Sequence, residues 1–131
     1  MREIKFRGRE QDGFWTYGDL RHEGNITGII ENGIYSWVDS STVGQFTGLK
    51  DHKGREIFEG DIVKVVDDGE ESFHVVEYMG NDDYPAFDLV PGLNVDSNGL
   101  AYCEHFTDYD VKMYVIGNIH DNLELLRLTK K

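Results

Sequence analysis

The side chains of this 131-residue sequence with the chemistry for catalysis or ligation are one cysteine, five histidines and 25 acids, and spacing decides what each can do. Cys103-Glu104-His105 sets a thiol and an imidazole two positions apart, with Asp108 and Asp110 close behind. A structural zinc site draws four ligands from paired spacings, and the chain has no second Cys/His pair. These residues therefore read as structural or surface groups, and no metal is expected. Nucleophilic catalysis by Cys103 or a serine needs a base that is itself oriented by a third group. His52 falls in a turn, His74 inside a strand and His120 beside a helix cap, and none of these contexts marks a base. With 15 acids between residues 61 and 126, carboxylate pairs arise by chance and spacing selects none of them. No catalytic set emerges, so the expectation is a protein that is not an enzyme.

Lys50, Lys53 and Arg55 lie among the regularly spaced Gly48, Gly54 and Gly60, a composition that invites comparison with a phosphate-binding loop. Such a loop needs Gly-Lys-Ser/Thr opening a helix, whereas Gly54-Arg55-Glu56 leads into a strand and offers no hydroxyl for magnesium. The glycines read as turn formers, and no cofactor is expected. Arg2, Lys5, Arg7 and Arg9 form a basic strip near Phe14, Trp15 and Tyr17, the ingredients of a single-strand nucleic-acid groove. Neighbouring acids cancel its charge, so these residues read as packing aromatics beside a solvated strip.

The net charge of −12 is unevenly spread, with 8 basic and 10 acidic residues in 1–60 against 2 and 15 in 61–126. A field of this sign repels nucleic-acid backbones and anionic membranes and attracts basic surfaces. Neither direct nucleic-acid binding nor a membrane partner is expected, and the acids read first as a solubilising face. A single cysteine cannot build a disulfide framework, which suits a reducing cytosol. Met1-Arg2-Glu3-Ile4-Lys5-Phe6-Arg7 has no apolar signal core, and no apolar run approaches the roughly 20 residues of a membrane span, so a cytoplasmic location is expected. Asn25-Ile26-Thr27 is then a chance glycosylation match.

The elements that must position these groups are strands almost throughout. Residues 3–7 put Ile4 and Phe6 on one face, Gln11-Asp12-Gly13 turns the chain, and Phe14, Trp15 and Tyr17 complete a hairpin. Asn32-Gly33 separates residues 26–30 from 34–38 in a second hairpin. A strand at 43–49 follows. Residues 57–66 bend at Gly60 into the strongest strand, and 67–70 turn into a third hairpin with 73–78. Pro85, Pro91, Gly92 and Asn98-Gly99 break 80–99 into loops around a short strand at 86–90. Residues 100–109 fit strand or short helix. Residues 112–119 form a late core strand that shares one β core with 45–66, and Asp121 with Glu124 opens a short terminal helix. The length suits one domain.

Three segments together carry a resemblance: Met1 to Arg7; Gln45-Phe46-Thr47-Gly48-Leu49-Lys50-Asp51-His52-Lys53-Gly54-Arg55-Glu56-Ile57-Phe58-Glu59-Gly60-Asp61-Ile62-Val63; and Val115-Ile116-Gly117-Asn118-Ile119-His120-Asp121-Asn122. In order and spacing the sequence resembles the YopX family of phage and prophage proteins, departing at Leu123, where the family often has proline. The resemblance implies a mainly β fold of antiparallel hairpins with an SH3-like barrel, a phage or prophage gene in a bacterial host, and no assigned activity. It sets one domain over 1–131, with an N-terminal hairpin region 1–40 packed on a barrel of 41–126. Gly48, Gly54, Ile57, Phe58, Gly60, Asp61, Gly117 and Asn118 read as structural motif residues, with Gly60 at a backbone angle that opposes a side chain and Asp61 bonding nearby amides. The functional expectation is a non-enzymatic accessory protein that binds a host or phage protein, with a homo-oligomer as a further expectation. The alternative is an acidic decoy that mimics DNA; an enzyme ranks third.

Overall fold

The computed structural model describes residues 3–80, 86–93, 98–105 and 110–129. Contacts divide the chain into two compact units, Met1–Gly48 and Leu49–Lys131. In the first, β1 (Phe6–Arg9) pairs antiparallel with β2 (Trp15–Glu23), placing Phe6 opposite Gly18 and Arg9 opposite Trp15. Their turn is closed by Glu10 N donating to Phe14 O at 2.8 Å and Gly13 N donating to Glu10 O at 2.9 Å. β2 pairs with β3 (Ile26–Glu31), and β3 with β4 (Ile34–Trp37). The β3–β4 turn holds Asn32 and Gly33 at φ of 53° and 82°. Positive φ at both central positions is the tight turn whose twist matches its strands, which is why Asn-Gly marks it. β5 (Asp39–Lys50) returns on the other side of β1, giving the order β4-β3-β2-β1-β5, and carries the chain across the unit boundary. Among the described residues of this unit, the buried apolar side chains are Ile29 and Phe46.

The second unit contains β6 (Glu56–Phe58), β7 (Asp61–Asp67), β8 (Glu70–Tyr78), β9 (Phe87–Val90), helix α1 (Gly99–His105) and β10 (Val111–Asn118). Its antiparallel sheet has the order β10-β7-β8-β9. β7 is paired on both sides, and its Ile62, Val63 and Val65 are wholly buried, as the dense β-branched run requires. Ile57, Val63, Val65, Val76, Leu89, Leu100, Cys103, Val111 and Met113 form one core. Of residues 100–109, which fit neither period cleanly in sequence, 100–105 are helical, with Leu100 and Cys103, three apart, on the buried face, and 106–109 lie outside the described residues. Asp88 Oδ1 and Asn98 Oδ1 accept the amides of Gly99 and Ala101 at 2.8 and 3.1 Å, which satisfies the helix start.

The mainly β fold of antiparallel hairpins with a short C-terminal helix is thus the one expected. Among the described residues the second sheet is open rather than closed into a barrel, with β10 and β9 as its ends. The terminal helix is a 3-10 segment, Leu123–Thr129, and starts after Asn122. Strand 112–119 pairs with 61–67 as expected, whereas residues 45–48 fall in the first unit. Among the described residues no helix is long and apolar enough to cross a membrane.

Candidate functional site

The best-matched segment of the sequence folds as a turn laid along the outer edge of β10. Asp51 N donates to Arg55 O at 2.8 Å and Gly54 N to Asp51 O at 3.0 Å, closing the turn. The buried Asp51 side chain then accepts the amides of Lys53 (2.9 Å) and Arg55 (2.8 Å) on Oδ1 and that of Val115 (2.9 Å) on Oδ2. His52 N donates to Met113 O at 2.9 Å, and Arg55 Nη1 to Val115 O at 3.1 Å. Polar groups on β10 that would otherwise face solvent are paired by this turn, which protects the sheet edge. The His52 ring meets Tyr114 edge-on at 5.6 Å, and Lys64 Nζ lies 5.6 Å from the Tyr114 ring on the same surface.

Each motif residue has a place in this scaffold. Gly48, Gly54 and Gly60 stand at φ of 89°, 84° and 92°. At Gly60 the backbone N donates to Val76 O (2.8 Å) while its O accepts from Ile119 N (2.9 Å), so the positive φ sits between two strands and a side chain would strain it. Asp61, 1% exposed, accepts the Phe58 amide at 2.8 Å; Ile57 and Phe58 are buried. A Cβ on Gly117 would lie 2.5 Å from Asn122 Oδ1, because Asn122 folds back to accept the Asn118 amide at 3.1 Å. Asn118 Oδ1 in turn accepts the amides of His120 and Asp121, both at 2.9 Å.

The groups with potential chemistry are distributed in the same way. Cys103 is buried in the core, and burial, reinforced by Asp67 and Asp88, pushes its thiol up to about 12, far from a nucleophile's range. Asp67 accepts the Tyr102 hydroxyl at 3.1 Å and holds that phenol above its usual value. His74 is buried with Nδ1 against Pro91 O and Nε2 2.7 Å from Ser72 Oγ. Among the described residues no cluster of three or more His, Cys, Asp or Glu side chains could hold a metal. Arg2, Asp108 and the His105 side chain lie outside the described residues. The basic strip differs from the solvated one expected: Arg7 is buried, its guanidinium 4.8 Å from the Trp15 ring, and Lys5 lies over Phe46 at 5.2 Å. Aromatic faces next to the strip draw these cations inward.

A concave site that spacing did not single out is also present. In the first unit an open cleft of about 480 Å³ is lined by the β1–β2 turn and by the end of β4, with Arg9, Glu10, Asp12, Trp37 and Asp39 among its walls. The acids are held by their own turns: Asp12 Oδ1 accepts the Phe14 amide at 3.1 Å, Asp39 Oδ1 accepts Ser41 N at 3.0 Å, and Glu10 accepts the Thr16 hydroxyl. Trp37 is 67% exposed. Three carboxylates against one guanidinium, beside an exposed indole face, favour a cationic group. Glu10 and Trp37 are far apart in sequence and line one cleft because β5 pairs with β1 and sets Asp39 opposite Arg9, so no local pattern could reveal them.

These features define a mainly β protein of two units whose buried acids and histidine are tied to backbone groups. The chain belongs to the YopX protein family, which it matches over residues 2–127. Among solved structures it is similar to protein EF1440 from Enterococcus faecalis, with 24% identity over 96% of this chain and 99% of that one and a TM-score of 0.60; the likeness is one of fold. No curated protein matches the sequence.

Proposed function

We propose that this YopX-family chain is a non-enzymatic accessory protein, encoded by a phage or prophage and acting in the bacterial cytoplasm, that binds a host or phage protein. The observation that carries this reading is the contrast between the groups that hold the fold and those that face outward. Asp51, Asp61, His74 and Cys103 are buried in structural roles, whereas the first unit presents Phe14, Ile34 and Trp37 at 72%, 68% and 67% exposure. Exposed aromatics beside a charged cleft are the composition of a protein-binding surface. A second reading, an acidic decoy for a DNA-binding protein, is favoured by the 18 acidic against 8 basic residues of 49–131. Affinity capture from phage-infected bacterial lysate at low and high salt tests both. A partner held by apolar contacts survives high salt, a decoy's partner is lost as the charges are screened, and capture of nothing at either salt removes both readings.

A further inference from the structure

The outer edge of β4 and the cleft at its end form one continuous surface. Among the described residues nothing pairs that edge, since β4 ends its sheet. Exposed edges are normally blunted by shortness, lysine, proline or a bulge, and β4, at four residues, has the first of these. Ile34-Tyr35-Ser36-Trp37 contains neither lysine nor proline, and pairs with β3 in an uninterrupted register. The strand leads directly into the cleft, whose walls include Trp37, Val38 and Asp39, and Glu10 and Asp12 line the same cleft from the β1–β2 turn.

The geometry points to an extended basic segment of another protein as the occupant, an inference that rests on the protein-binding reading above. The segment adds a strand along β4, its main chain pairing with the edge. One of its lysine or arginine side chains lies on the Trp37 indole and reaches the carboxylates of the cleft. Charge selects this occupant over others. Three carboxylates outnumber Arg9 in the cleft, and the chain as a whole carries −12, so an acidic segment or a nucleic acid is repelled. A second copy pairing through its own β4 would bring another −12 and, from that uncharged strand, no cation for the cleft.

Nuclear magnetic resonance on the full chain, titrated with a peptide of roughly eight alternating lysine and valine residues, tests the assignment. The expected result is shifts at the amides of residues 34–38 and 10–13 and at the Trp37 indole, and none with the same peptide carrying glutamate for lysine. Trp37→Ala and Asp12→Asn, both at positions outside the core, should leave the melting temperature unchanged and weaken the lysine peptide about tenfold. Absent shifts at β4, an equal response to the glutamate peptide, or shifts confined to the acidic β7–β8 hairpin would overturn the proposal. So would a Trp37→Ala protein that captures its lysate partner as well as the wild type, an outcome that leaves the protein-binding reading standing. Failure of the wild type to capture any partner overturns both.

Discussion

Cys103 illustrates how a residue with chemical potential is disarmed by its surroundings. The thiol sits among Leu100, Val111 and Met113 in the core, and burial is the largest cause of its rise from 9.0 to about 12, with Asp67 and Asp88 adding to it. Below pH 9.0 the thiol is neutral in both folded and unfolded chains, and its contribution to stability is complete. As pH rises past that value the unfolded thiol ionises first, so stability falls until the folded thiol also ionises near pH 12. Each pH unit inside that window removes on the order of 1 kcal/mol. Denaturant unfolding of the wild type should therefore lose stability above pH 9 more steeply than Cys103→Ala, and parallel pH profiles would show that the thiol is not held neutral by the fold.

At the scale of elements, the turn 51–55 decides whether β10 is a protected edge. Asp51 is a carboxylate in a buried place, and it remains there because three backbone amides point at it. Removing it leaves those amides without their acceptor, and a buried unsatisfied donor costs about 1–3 kcal/mol. Asp51→Ala is expected to lower the unfolding free energy by about 2–3 kcal/mol and to raise amide exchange at Val115 and Arg55. A variant with unchanged stability and unchanged protection at Val115 would mean that the turn does not clamp the strand. Gly54, Gly60 and Asp61 belong to the same device, because the turn can reach β10 only if the chain reverses at both glycines, into and out of β6.

Across the whole molecule the charges and the core are unequally shared. Residues 1–48 carry 5 basic and 7 acidic groups, while 49–131 carry 8 and 18 along with most of the buried apolar side chains. The second unit is stabilised by its core against its own repulsion; the first has little repulsion and a thin core. Added salt screens like charges over distances longer than about 10 Å at 0.1 M, so the second unit should gain stability as salt rises. Hydrogen exchange should show protection at β7 and β10 increasing between low salt and roughly 0.5 M, with a smaller change at β3 and β4. Equal responses in the two units would show that the acids of 49–131 are too dispersed to repel.

The strands and the turns between them are legible in the residue order, because alternation, β-branched runs and Asn-Gly act over a few residues. The residue order also placed Gly60 at its positive φ and Asp61 on a nearby amide, both local demands of one chain reversal. How distant elements share space is settled by packing between parts of the chain that local pattern does not link. Burial on the side of α1 that carries Leu100 and Cys103 resolved a segment whose period was ambiguous, and aromatic faces drew Arg7 out of solvent. Where the resemblance implied an SH3-like barrel, the second sheet is open among the described residues, and one aspartate and one arginine satisfy edge groups of β10. The cleft lined by Glu10, Asp12 and Trp37 exists because β5 pairs with β1 and sets Asp39 opposite Arg9, a relation fixed by strand register and invisible to spacing along the chain.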